Sequence, residues 1–188
     1  MNPKTLIVFG NFRGGTSMVA HCLKNMGVFM GYDIGEGNGE DKDFQFAEPR
    51  QIIELIKKRN AEHDVWGWKF PDSINYVDRF KSHLVNPHYI CIFRDPYAVA
   101  LSEEKRTGQD FNTMFARANQ RNAKMIEFSR NCEGKVLRLS YEHCITRLDE
   151  FAKTLTEYVG IGDKKDVIDI VDPYLKGGDY GKSKFTYS

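Results

Sequence analysis

Apolar positions along the chain fall into two rhythms. Residues 4 to 10 form a short, continuous apolar run rich in β-branched side chains, the pattern of a strand buried on both faces of a parallel sheet. Met18, Val19, Cys22, Leu23 and Met26 then recur at helical spacing, and Gly27 follows where a helix-terminating glycine belongs. Residues 28 to 46 are rich in glycine and acidic residues, carry Phe29, Tyr32, Phe44 and Phe46, and keep no period, which predicts a long functional loop. Beyond it the pattern predicts a helix from Glu48 to Asn60, a strand at 65 to 70, a helix at 73 to 84 and a strand at 88 to 94. Helices follow at 96 to 106 and 111 to 130, then a strand at 135 to 141. A last helix carries Ile145, Leu148, Phe151, Leu155 and Tyr158 on one face and stops at Gly160, and from Gly177 the tail is polar and glycine-rich.

Strands that alternate with helices imply right-handed crossovers and an α/β fold of three layers, a mostly parallel central sheet flanked by helices. Ligands of such a sheet belong at the carboxyl ends of its strands. The chain shows no internal repeat and no linker, and 188 residues suit one domain over 1–188, with 41% apolar residues to build its core.

Charge narrows the function classes. Lys and Arg total 27 against 26 acidic residues, so no global basic field points to nucleic acid and any anion site must be local. Cys22, Cys91, Cys132 and Cys144 are scattered and form no CxxC pair, as expected of reduced thiols in a cytoplasmic protein. The first residues are too short an apolar stretch for a signal peptide or a membrane span.

Chemistry concentrates where strands meet helices. Gly10-Asn11-Phe12-Arg13-Gly14-Gly15-Thr16-Ser17 joins a buried strand to a helix start, where free amides and the helix dipole converge on a point that suits a phosphate. Gly14 and Gly15 let the backbone approach an anion, Thr16 and Ser17 offer hydroxyls, and Arg13 adds a charged fork. Against the ATP-binding P-loop pattern, Gly10, Gly15 and Ser17 are in place but Thr16 stands where the lysine should be. A glycine turn that merely joins strand to helix would share the glycines but has no need of the arginine and two hydroxyls. Ile92-Phe93-Arg94-Asp95-Pro96 ends a strand and opens a helix, with Asp95 as N-cap and Pro96 at the first helical position. That start does not require Arg94 at the strand mouth with Ser102 eight residues on; a second anionic group beside the first loop explains both.

RGGTS at 13 to 17 resembles the 5'-phosphosulfate loop of the sulfotransferases that use 3'-phosphoadenosine 5'-phosphosulfate (PAPS), and RDPYAVALS at 94 to 102 resembles their 3'-phosphate segment. Residues 137 to 161 are similar to the strand-turn-helix that closes many bacterial members, so the resemblance covers most of the chain. It implies a P-loop-NTPase-like architecture and transfer of a sulfuryl group from PAPS to a hydroxyl or amine, with PAP (3'-phosphoadenosine 5'-phosphate) as product and no metal. By the same resemblance Arg13 contacts the transferring group, Gly14, Gly15, Thr16 and Ser17 bind the 5' end, and Arg94 and Ser102 bind the 3'-phosphate. Gly14 departs from the serine often found there.

Lys69, at the end of a strand, resembles the family's lysine near the sulfuryl group, where a cation would stabilise charge growing on the bridging oxygen. A lysine at a strand end can also simply snorkel to the surface. An acceptor must lose a proton, and none of the five histidines, His21, His63, His83, His88 and His143, lies well for that task. Glu48 resembles the glutamate that follows the first helix in bacterial and heparan-type members and is the expected base, although an acidic residue is also favoured at a helix start; Glu40 and Asp72 compete with it. Lys176 and Gly177 resemble a lysine-glycine loop that covers the 3'-phosphate, or belong to a frayed terminus. The loop at 28 to 46 and the helix at 111 to 130 are expected to choose the acceptor, a small molecule or carbohydrate, and the protein to be a monomer or homodimer. A P-loop small-molecule kinase and a non-catalytic nucleotide-binding module remain the alternatives.

Overall fold

The computed structural model describes residues 3–32, 34, 38–45 and 48–177, the last five as backbone only. Four strands, β1 (Lys4–Gly10), β2 (Val65–Lys69), β3 (His88–Phe93) and β4 (Lys135–Ser140), pair in parallel in the order β2-β1-β3-β4. The helices are α1 (Thr16–Asn25), α2 (Pro49–Glu62), α3 (Pro96–Thr107), α4 (Phe111–Asn131), α5 (Tyr141–Thr146), α6 (Leu148–Val159) and α7 (Lys164–Gly177).

The two-residue alternation of a strand decides which layer each side chain joins. Leu6, Val8, Ile90 and Ile92 pack on one face of the sheet with Val19 and Leu23 of α1, Leu155 of α6 and Val171 of α7. Ile7, Phe9, Tyr89 and Cys91 pack on the other with Ile56 of α2 and Met125 and Phe128 of α4. Both faces are covered, and β1 is fully buried from Thr5 to Phe9 because it lies inside the sheet and carries apolar side chains to both layers.

Three elements differ from the sequence expectation. The helix expected at 73 to 84 is two 3-10 segments, Pro71–Asn75 and Val77–His83, broken at Tyr76. The expected helix around residues 145 to 158 is two helices, because Arg147 leaves helical geometry at φ −128°, ψ 58°. The sequence reading placed no helix at 164 to 177, where α7 covers α1 and α6.

Within the loop of residues 28 to 46, Phe29 forms an isolated bridge to Trp66, and Lys42–Phe44 is a single 3-10 turn. Phe44 stacks on Trp68 at 4.3 Å and 5°, inside the core; Phe46 lies outside the described residues.

Candidate active site

Because β1 sits inside the sheet, the chain moves first to β2 on one side of it and then back to β3 on the other. The crevice beyond the carboxyl ends of β1 and β3 is the switch point where α/β sheets bind ligands. The loop after β1 and the start of α3 after β3 both open onto it.

Loop geometry explains its glycines. Asn11 O accepts a bond from Gly14 N–H at 2.9 Å, closing a turn so tight that a Cβ on Gly14 would lie 2.7 Å from that same oxygen. Gly15 has φ 91° and would push a Cβ to 2.3 Å from Tyr141 Cδ2, so a side chain is excluded twice over. Arg13 also has positive φ, 57°. α1 starts at Thr16 with no side-chain cap, which leaves its first amides directed at the crevice.

Arg13, Arg94 and Ser102 converge over this loop. Arg94 Nη1 donates to Arg13 O at 2.6 Å, Arg13 Nε donates to Ser102 Oγ at 3.0 Å, and the Arg94 guanidinium lies 4.8 Å from the centre of the Tyr141 ring. Asp95 caps α3 by accepting from Tyr97 N–H at 3.1 Å, and its own N–H donates to Glu142 at 3.0 Å, which fixes the strand mouth carrying Arg94. The loop is anchored from the other side where Asn11 Nδ2 donates to Asn122 Oδ1 at 2.8 Å.

A cavity of about 510 Å³ opens beside the loop, lined by Arg13, Gly15, Thr16, Ser17, Lys69 and Arg94 among the residues expected from the sequence. Lys69 does not snorkel. It is 2% exposed, donates to Asn38 O at 2.8 Å and pairs with Glu40 at 3.0 Å. Burial pushes its ammonium below the ordinary lysine value, against the pull of Glu40. The second oxygen of Glu40 accepts from Gln45 Nε2 at 2.8 Å.

The three acidic candidates separate by place. Glu40 lines the cavity. Glu48, the base expected from the sequence, is exposed at the start of α2, where its N–H donates to Gln51 Oε1 at 2.8 Å, and it is not among the lining residues. Asp72 is held by Arg121 at 2.6 Å. None of the five histidines lines the cavity. Ser102 reaches the site through Arg13, and Gly14 is buried within the loop and is not among the lining residues. Lys176 and Gly177 end α7 with side chains outside the described residues, as are residues 178 to 180 altogether.

The sequence reading missed Tyr141, Asn38, Glu103 and Arg106, all of which line the cavity. Tyr141 follows β4 at the same sheet edge, and β4 was legible as a strand; the other three carry no motif.

The profile of the sulfotransferase family matches residues 33–165, a span that contains Lys69, Arg94 and Ser102. The chain belongs to the sulfotransferase family. The match begins after the loop at 10 to 17, which the contacts described above bring together with Arg94 and Ser102. Solved sulfotransferases share the fold at low identity. The sulfotransferase domain of the Synechococcus PCC 7002 olefin synthase is 13% identical, with all of this chain and 90% of that one aligned at a TM-score of 0.68. The sulfotransferase domain of the curacin biosynthetic pathway is 16% identical over 90% of this chain and 78% of its own, TM-score 0.60. Mouse sulfotransferase SULT7A1, solved in complex with PAP, is 14% identical over 92% of this chain and 63% of its own, TM-score 0.60. No curated protein sequence matches.

Proposed function

We propose that this sulfotransferase moves a sulfuryl group from PAPS to a hydroxyl or amine acceptor. The observation that carries the reading is the Arg94–Arg13–Ser102 cluster seated on the loop at the start of α1. Family membership alone leaves the donor open, whereas two arginines and a serine beside a helix N-terminus offer two anion positions rather than one. The mouse relative's complex with PAP supports the same donor.

In this reading the first amides of α1, with Thr16 and Ser17, hold the 5'-phosphosulfate, and Arg94 with Ser102 holds the 3'-phosphate. Arg13 and Lys69 face the charge that grows on the bridging oxygen. The acceptor oxygen or nitrogen forms its bond to sulfur as the bond from sulfur to the 5'-phosphate oxygen breaks, and PAP leaves. The acceptor's proton passes to a carboxylate. Glu40 is our choice for it, because it is the candidate that lines the cavity beside Lys69, while Glu48 stands at the head of α2. The acceptor is a small molecule or carbohydrate.

Thermal shift discriminates the donor. PAP at about a hundred times its dissociation constant should stabilise the protein by about 2.7 kcal/mol, and ATP with magnesium by much less. Arg94→Ala should weaken PAP more than adenosine 5'-phosphosulfate, which lacks the 3'-phosphate. Absence of any shift with PAP would overturn the reading.

A further inference from the structure

A second cavity, of about 400 Å³, adjoins the first and shares Phe12, Glu103 and Arg106 with it. Its walls come from α3, α4 and the 3-10 turn after β2. Ile74, Val99, Met114 and Ala118 give it an apolar floor. Its charge is lopsided: Arg106, Arg117, Arg121 and Lys124 line it against the single carboxylate of Glu103. The chain as a whole is close to neutral, at +1. This concentration of positive charge is therefore local, placed on one face of α4 by the four- and three-residue spacing of Arg117, Arg121 and Lys124.

Two of the four cations are already answered. Arg106 makes a two-pronged contact with Glu103 at 3.1 and 2.8 Å. Arg121 pairs with Asp72, donates to Pro71 O at 2.9 Å and stacks on Phe12 at 4.8 Å, so it builds the wall between the cavities. Arg117 and Lys124 differ. Their partners are the neutral amides of Gln109 at 2.7 Å and Asn75 at 3.3 Å, and among the described residues neither pairs with a carboxylate. An acid within reach would be the ordinary companion of either side chain on a solvated helix face. Here two exposed cations flank an apolar floor beside the first cavity, and no carboxylate among the described residues answers either charge.

We infer that the second cavity receives the acceptor, and that the acceptor carries an anionic group, a carboxylate, phosphate or sulfate, held by Arg117 and Lys124 while its hydroxyl or amine reaches past Phe12 toward Arg13 and Lys69. The inference rests on the sulfuryl-transfer reading above and adds the chemical class of the substrate. Guanidinium and ammonium together suit an oxyanion, and the apolar floor suits the carbon skeleton that bears it.

The test uses pairs of probes that differ by one anionic group: glucose 6-phosphate against glucose, N-acetylglucosamine 6-sulfate against N-acetylglucosamine, and 4-hydroxyphenylpropionate against 3-(4-hydroxyphenyl)propan-1-ol. Each is titrated by thermal shift into protein saturated with PAP. At least one anionic member should bind more tightly than its neutral partner. Arg117→Gln with Lys124→Gln should weaken it about fivefold for each charge removed, as expected of partly exposed cations, and added salt should weaken it likewise. The same charge removed at Lys153, on the exposed side of α6, should leave it unchanged. Both cavity substitutions sit on an exposed face, and PAP affinity reports on folding and on the donor site together. The inference is overturned if neutral members bind as well as anionic ones, if no anionic member binds, or if the double variant loses PAP in the same proportion as the probe, which would give the cavity to the nucleotide. Failure of PAP to bind the unaltered protein would instead remove the donor reading.

Discussion

At the scale of single residues, Gly14 departs from the serine that the resemblance of its loop leads one to expect, a difference that reads as a lost hydroxyl in the sequence and as a steric requirement in the structure. A Cβ there would meet Asn11 O at 2.7 Å, and that oxygen is fixed by the turn it closes. Gly14→Ser should therefore destabilise the protein by about 1–3 kcal/mol and weaken PAP, measured by denaturant unfolding and thermal shift. A gain in PAP affinity would show that the turn yields freely. Glu40 and Glu48 give a second prediction. Glu40→Gln should lower turnover of labelled PAPS by about two to four orders of magnitude while PAP still binds, as expected for loss of a proton acceptor. Glu48→Ala should leave turnover near that of the parent protein. The reverse result would return the role to Glu48.

At the scale of elements, what matters is how the segment carrying Glu40 is held. Arg59 of α2 is fully buried; it pairs with Asp41 and, at 3.0 Å, with Asp43, and its guanidinium lies 5.1 to 5.6 Å from the rings of Phe29, Phe44 and Trp66. Asp41 N–H also reaches Lys69 O at 3.4 Å, so one buried clamp ties the segment to both α2 and β2. Burial pushes the Asp41 carboxyl up, and Arg59 pulls it back toward its charged form. Arg59→Leu would leave a buried carboxylate uncompensated and should cost about 3–5 kcal/mol, with loss of turnover exceeding loss of PAP affinity. A near-neutral result would mean that the aromatic rings alone hold the segment. This clamp also explains what the sequence concealed. Glu40 lies in an aperiodic loop and Glu48, eight residues on, heads α2; that Glu40 lines the cavity follows from a clamp to α2 that no local pattern announces. β1 and β3, by contrast, were legible because burial on both faces leaves a nearly unbroken apolar run. The helix expected at 73 to 84 is 3-10 for a local reason: Ile74, Val77 and Phe80 recur every three residues, the period of a 3-10 helix. α7 was missed because Pro173 and the charges around Val167 and Val171 mask the apolar stripe that packs against α1 and α6.

At the scale of the whole molecule, acid sensitivity follows from two imidazoles packed into the fold. Burial pushes His88 below its ordinary value, with Lys4 and Lys135 adding to the effect and the carbonyl of Asn86 opposing it. Burial also lowers His21, with help from Lys24 and Lys69. Between the unfolded value, near 6.5, and the lower folded values, the unfolded chain binds more protons. The stability present above about pH 6.5 is thus lost as pH falls through that window. Denaturant unfolding at about pH 7.5 and about pH 5.5 should show the loss, and His88→Asn should flatten it; an unchanged slope in the variant would assign the effect elsewhere. No described helix is long and apolar enough to cross a membrane. The strand order has a further consequence, for synthesis. β1 leaves the ribosome before both of its partners, which begin only at Val65 and His88. Until β3 has been made, the nascent chain carries an apolar strand with an open edge, and the arginine that steadies the first loop has not been translated. The chain must close two long loops before the loop after β1 and Arg94 can meet.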